Sequence, residues 1–193
     1  MARPKEYDPE TVLTEAMHVF WSTGYFGTSM SQLTEATHLK PGSLYGAFQS
    51  KEALFLAALD HYGQTSVETV RQLLEGSDSP AAGIRAWVDR VASEVSRNEA
   101  HGCLLVNTTL ELAGRNAAIR EKVNLYLDQI RDLLACRLAQ AKEVGEIAGS
   151  MDSEALAAFM LCTIWGLRVL GVTGPSKRKV DAVRNQLLAL LHP

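Results

Sequence analysis

The sequence predicts an all-α protein on three observations. Apolar residues recur at three- and four-residue intervals through most of its length, no sustained apolar/polar alternation marks a strand, and proline, glycine and capping residues cut the chain into helix-length pieces. With 193 residues, 47% of them apolar, there is material for a sizeable core, in one generous domain or in a small one joined to a larger.

Asp8 followed by Pro9 is an N-cap with proline in the first turn, and Val12, Leu13, Ala16, Met17 and Phe20 form the apolar stripe of a helix ending near Gly24. Ser29 with Gln32 three residues on makes a capping box for a short second helix carrying Met30, Leu33 and Ala36. A tight connection, Thr37 to Lys40, follows. Pro41 opens a third short helix through Leu44, Tyr45 and Phe48, and Ser50 caps a fourth that carries Leu54, Phe55, Ala58, Leu59 and Tyr62. The run from Glu75 to Pro80 combines glycine, serine, aspartate and proline without a large apolar residue, and is the clearest linker. Beyond it helices are expected at about 80–97, 103–113, 117–144, 152–171 and 177–191, divided by Gly102, Gly114, Gly145 with Gly149, and Gly171 with Gly174-Pro175.

Composition narrows the function classes. No window approaches the roughly 18 uninterrupted apolar residues of a membrane span, and the first six residues lack the apolar core of a signal peptide, so a cytoplasmic protein away from membranes is expected. Cys103, Cys136 and Cys162 are widely spaced in apolar stretches, which suits reduced thiols better than a disulfide framework or zinc site. There is no P-loop, GxGxxG, HExxH or CxxC, and the five histidines show no metal-ligand spacing beyond His101/Cys103; no enzyme, cofactor or metal site is expected. A cysteine enzyme built on that pair would need the imidazole turned toward the sulfur. The formal charge of -3 does not advertise nucleic-acid binding, and residues 1–63 carry seven acidic side chains against four basic ones. A DNA-binding role then requires the few cations to lie where phosphates lie, with helix N-termini supplying further positive potential.

Two short helices joined by a three- or four-residue turn and braced by a longer preceding helix make a helix-turn-helix, whose second helix sets its N-terminal side chains in the major groove. Here that helix is Pro41 to Phe48, and Gly42, Ser43, Gly46 and Ala47 are small enough for close approach to bases. Lys40 and Lys51 would flank the groove and meet phosphates, Tyr45 offers a hydroxyl for the same purpose, and Leu44 and Phe48 face inward. Arg3 and Lys5 precede the first helix, either as an arm reaching a phosphate or minor groove or as a solvated terminus.

At these residues the chain resembles the DNA-binding domain of the tetracycline-repressor (TetR) family, almost throughout residues 8–62. The segments that carry the likeness are Gly24-Tyr25-Phe26-Gly27-Thr28-Ser29-Met30, Leu39-Lys40-Pro41-Gly42-Ser43-Leu44-Tyr45-Gly46-Ala47-Phe48 and Ser50-Lys51-Glu52-Ala53-Leu54. The resemblance implies a helix-turn-helix DNA-binding domain at 1–62 and a helical effector-binding and dimerisation domain at 63–193. It implies a homodimer on a palindromic double-stranded operator, released by a small-molecule effector, with phosphate contacts from Thr28, Tyr45 and Lys51 and base or groove-edge contacts from Lys40, Gly42 and Ser43. The family often has a small polar residue where Lys40 stands and bulkier ones near Gly46 and Ala47, so the base pairs read are left open.

In the last two helices, Leu156, Met160, Ile164 and Leu167 line one side, while Ala158, Cys162 and Gly166 form a small-residue track at four-residue spacing. Val180, Val183, Leu187, Leu188, Leu190 and Leu191 crowd the final helix. Two such helices from each of two subunits would make a four-helix interface, as the resemblance also implies; the alternative is a two-sided core within one subunit. The resemblance places an effector cavity among helices 80–97, 103–113 and 117–144, where Trp87, Asn107, Glu111 and Tyr126, with Trp165, are candidate lining residues or simply core. Cys103, after His101-Gly102 at a helix start, is either a thiolate stabilised by the helix dipole or a small buried hydrophobe. Gly102 to Asn107 resembles the sixth-helix segment of a TetR subgroup, some of whose members sense electrophiles or oxidants through a cysteine. A helical adaptor that binds protein and no DNA is the alternative of another class.

Overall fold

The computed structural model describes residues 7–97, 101–150 and 152–192, and among them are nine helices and no strand. They run α1 (Pro9–Gly27), α2 (Met30–Thr37), α3 (Pro41–Phe48), α4 (Lys51–Glu75), α5 (Pro80–Ser96), α6 (Leu104–Leu112), α7 (Ala117–Glu143), α8 (Ser153–Gly171) and α9 (Lys177–Ala189). Residues Arg3 and Lys5 lie outside the described residues.

Local chemistry sets the boundaries. Asp8 accepts from the amides of Glu10 and Thr11, Ser29 and Gln32 close a reciprocal capping box, and Ser50 accepts from Ala53. Gly24 breaks α1 with φ 73° and ψ 169°, a combination only glycine adopts without strain, so the helix turns there before its last residues. His38, in the left-handed region, ends α2 and turns the chain into α3.

The first four helices close over Phe20, Leu33, Leu44, Leu54, Phe55 and Leu59, all buried. Phe20 meets Phe55 edge-on at 4.9 Å, and Tyr25 meets the same ring at 5.0 Å. Each such side chain contributes about 1.5–3 kcal/mol of apolar burial, enough to hold helices as short as α2 and α3 that would not form alone. The expected division at residue 62 falls inside α4, which runs unbroken from this core into the second one. There α4 packs on α5 and α7, and α7 and α5 in turn pack on α8.

Helix α8 is long and apolar enough to cross a membrane by length and composition, with a mean hydropathy of 1.4. Counting uninterrupted apolar residues did not mark it, because Thr163, Gly166 and Arg168 break the run. In the fold it packs on α5, α7 and α9 and buries Leu156, Met160, Ile164 and Leu167 against them.

Candidate nucleic-acid interface and interhelical cavity

Helix α3 is anchored by buried Leu44 and half-buried Phe48 and presents its other side outward. Leu44 is 1% exposed, whereas Gly42, Ser43, Gly46 and Ala47 are exposed and Tyr45 is 47% exposed. A methyl group added at Gly42 or Gly46 would meet nothing within 4 Å, so the fold itself does not require glycine at either position. No side chain caps the α3 N-terminus, where exposed Lys40 is the N-cap residue and Pro41 the first helical one. Its positive dipole end is therefore not offset by a capping acceptor. Lys51, at the start of α4, lies with Nζ 4.6 Å from the Tyr25 ring centroid, a cation–π contact that holds the ammonium beside the α1–α2 turn.

Thr28 does not fit its expected role. It is 2% exposed, and its hydroxyl donates to the Gly24 carbonyl at 2.6 Å while lying 2.6 Å from the Thr23 hydroxyl. The side chain holds the turn between α1 and α2 closed and is not free to meet a phosphate.

Glu111, near the end of α6, was expected to line an apolar pocket. Its carboxylate instead accepts from the backbone amides of Tyr25 at 3.0 Å and Phe26 at 2.8 Å, the two that the break at Gly24 frees from the α1 ladder. A Cβ at Gly24 would lie 3.0 Å from this carboxylate, which gives the glycine a second reason. Two further links join the halves of the chain: Asn116 donates to Glu52 at 2.8 Å, and Lys122 meets Asp60 at 2.6 Å. Burial alone would raise the Asp60 carboxyl, but the bonds from Lys122 and Tyr126 outweigh it and hold the group below its ordinary value of 3.8. Burial, then the bond to Asp60, pushes the Tyr126 hydroxyl up to about 12.

Between α1, α4, α5, α7 and α8 lies a cavity of about 400 Å³. Of the expected lining residues, Trp87, Cys103 and Trp165 are in its wall. Tyr126 is not: it packs its ring over Gly63, where a Cβ would come within 2.2 Å of it, and spends its hydroxyl on Asp60. Asn107 is not either, since its amide donates to the His101 carbonyl at 2.6 Å beside a separate crevice between α1 and α6. Cys103 is buried and accepts from the Tyr62 hydroxyl at 3.6 Å. Burial, then the adjacent Cys103, pushes that hydroxyl far above the usual tyrosine range. The His101 ring is exposed beside Trp21, at 6.2 Å between centroids, so Tyr62 and not His101 serves the sulfur.

These two features sit where two family models match the sequence. Residues 12–58 match the model for bacterial regulatory proteins of the tetR family, and residues 80–187, more than half of the chain, match the tetracyclin repressor-like C-terminal domain. The chain belongs to the TetR family. It is thus a DNA-binding transcriptional regulator, and proteins of this family are in general not enzymes. Among its relatives is the HTH-type transcriptional repressor ComR of Escherichia coli, 30% identical over 190 residues that cover 97% of this chain and 90% of ComR. A cysteine mutant of the TetR regulator CifR, solved with 26-base-pair operator DNA, superposes with a TM-score of 0.85 at 31% identity, covering 98% of this chain and all of CifR. A TetR regulator from Chloroflexus aurantiacus gives 0.84 at 28% identity, covering 93% and 91%.

In this TetR-family chain the remaining cavity wall includes Trp21, His61, Tyr62, Arg90, Glu94 and Arg168, none of which sequence reasoning singled out as a cavity residue. A signal existed for Arg168, the only charge in α8 after Glu154 and therefore a cation inside an otherwise apolar helix. On the other side of α8 the regulator exposes Ala158, Cys162 and Gly166 together with Phe159, Val169 and Leu170. A groove between α8 and α9 adds Val183 and Leu190.

Proposed function

We propose that this regulator acts as a homodimer that represses transcription by occupying a palindromic operator, with α3 of each subunit in the major groove, and that an effector in the cavity releases it. The observation that carries this reading is the course of α4: it starts after a two-residue connection from α3 and packs on it, and its later turns, from His61 to Leu73, form one wall of the cavity. A ligand wedged between α4 and the Trp87 and Trp165 side tilts α4 and changes the separation of the paired α3 helices from the roughly 34 Å of one DNA turn. Lys40, Gly42 and Ser43 meet groove edges, and Tyr45 and Lys51 meet phosphates. The exposed track on α8, with α9, forms the four-helix interface, and a regulator of this kind works in the cytoplasm. The test is selection of bound duplexes from random DNA by the purified protein. Paired half-sites about 10 base pairs apart, centre to centre, or a multiple of this, are expected; recovery of single or unrelated sites would overturn the dimeric reading.

A second reading places the sensor at Cys103, favoured by its position in the cavity wall. An electron-poor alkene entering the cavity would be attacked by the sulfur: a carbon–sulfur bond forms as the carbon–carbon π bond opens, the thiol proton ends on the neighbouring carbon, and the Tyr62 hydroxyl is displaced from the sulfur. Rapid labelling of Cys103 by a thiol reagent with simultaneous loss of DNA binding supports it; a thiol inert until denaturation ends it.

A further inference from the structure

The cavity wall carries more cation than anion. Glu94 accepts from Arg90 Nε at 2.6 Å through one carboxylate oxygen and from an Arg168 terminal nitrogen at 3.1 Å through the other. Both oxygens are engaged, and Glu94 is the only carboxylate among the described residues of the wall. Two guanidiniums thus share one carboxylate. Arg168 is 22% exposed in its side chain, so its charge is only partly met by water, whereas Arg90 is 54% exposed. Across from the neutral polar groups of α4 (His61, Tyr62, Thr65, Ser66 and Thr69), the α5, α7 and α8 side of the wall is apolar: Trp87, Val91, Leu127, Ile130, Ile164 and Trp165. A guanidinium offers five donors, and one bond to Glu94 leaves most of Arg168's fork unspent on that partner.

Resting on the reading of this cavity as an effector site, we infer that its ligand is an amphipathic organic anion, a carboxylate or similar group on an apolar body. The anionic head lies between Arg168 and Arg90, and the body lies along the Trp87 and Trp165 side. A cationic ligand would add to an existing positive excess. A neutral one would leave the Arg168 guanidinium poorly solvated once it displaced water from the cavity.

The test uses three probes with one body and different heads: 4-phenylbutyrate, 4-phenylbutanol and 4-phenylbutyltrimethylammonium, titrated into the full chain by calorimetry without DNA. The acid is expected to bind about tenfold to a hundredfold tighter than the alcohol, and the ammonium to bind weakest. Glu94→Gln is expected to raise the ratio of acid to alcohol affinity and Arg168→Gln to lower it. Arg90→Gln, at an exposed position, replaces the latter variant if it fails to fold. Alcohol or ammonium binding as tightly as the acid, or Glu94→Gln lowering the acid-to-alcohol ratio, overturns the inference while leaving the cavity as an effector site. Failure of all three probes to bind at millimolar concentration overturns the effector-site reading itself.

Discussion

At the scale of single residues, the reading face differs from the core in what its glycines are for. Gly24 is held by its φ of 73° and by Glu111, whereas Gly42 has open space above it. Gly42→Leu is accordingly expected to leave thermal stability unchanged or slightly raised while lowering operator affinity by at least about tenfold, as read by calorimetry and gel shift. Leu44 is the reverse case. Its truncation to alanine removes the buried anchor of α3 and is expected to cost about 2–5 kcal/mol in chemical denaturation. The exposure of Gly42 and the burial of Leu44 were readable in the sequence, because the inner and outer sides of a short helix follow from helical spacing. Thr28 was not, since a motif position says which residue is present but not that its hydroxyl bonds backward to Gly24.

At the scale of elements, α6 ties the cavity side of the molecule to the helix-turn-helix. Its first residue follows Cys103 in the cavity wall, and its Glu111 holds the Tyr25 and Phe26 amides. Glu111→Gln keeps one acceptor oxygen and loses the other, so operator affinity is expected to fall severalfold and the effect of any ligand on DNA binding to shrink; unaltered coupling would contradict the role. The α4–α7 contact makes a second element-scale prediction. Gly63→Ala drives a methyl group into the Tyr126 ring and is expected to cost about 1–3 kcal/mol. Asp60 in the same contact is held below its ordinary value, so the stability it adds is full above about pH 4 and is lost as pH falls through its lower folded-state value. Asp60→Asn should flatten that acid limb of the stability curve. Helix boundaries were legible to within a few residues because caps and prolines are local signals. The partners of Tyr126 and Glu111 were not, because a tertiary hydrogen bond across 66 to 86 residues leaves no periodic trace.

At the scale of the whole molecule, two exposed surfaces define the account, the α3 face and the apolar side of α8. Gly166→Leu fills the small-residue track without touching the subunit's own interior, since nothing lies within 4 Å of an added Cβ. It is expected to shift the dimer to monomer in sedimentation while the monomer stays folded. An acidic helix-turn-helix unit can still bind DNA if Lys40, Lys51, Tyr45 and the uncapped α3 N-terminus are what the phosphates meet, and that distribution, unlike the net charge, is a property of the fold. The salt dependence of duplex binding tests it most directly. Two subunits each neutralising several phosphates give a slope of about -4 to -8 in a plot of log affinity against log salt concentration. A slope near zero, or one unchanged when Lys40 and Lys51 are both replaced by alanine, would contradict the proposed docking of α3 on DNA.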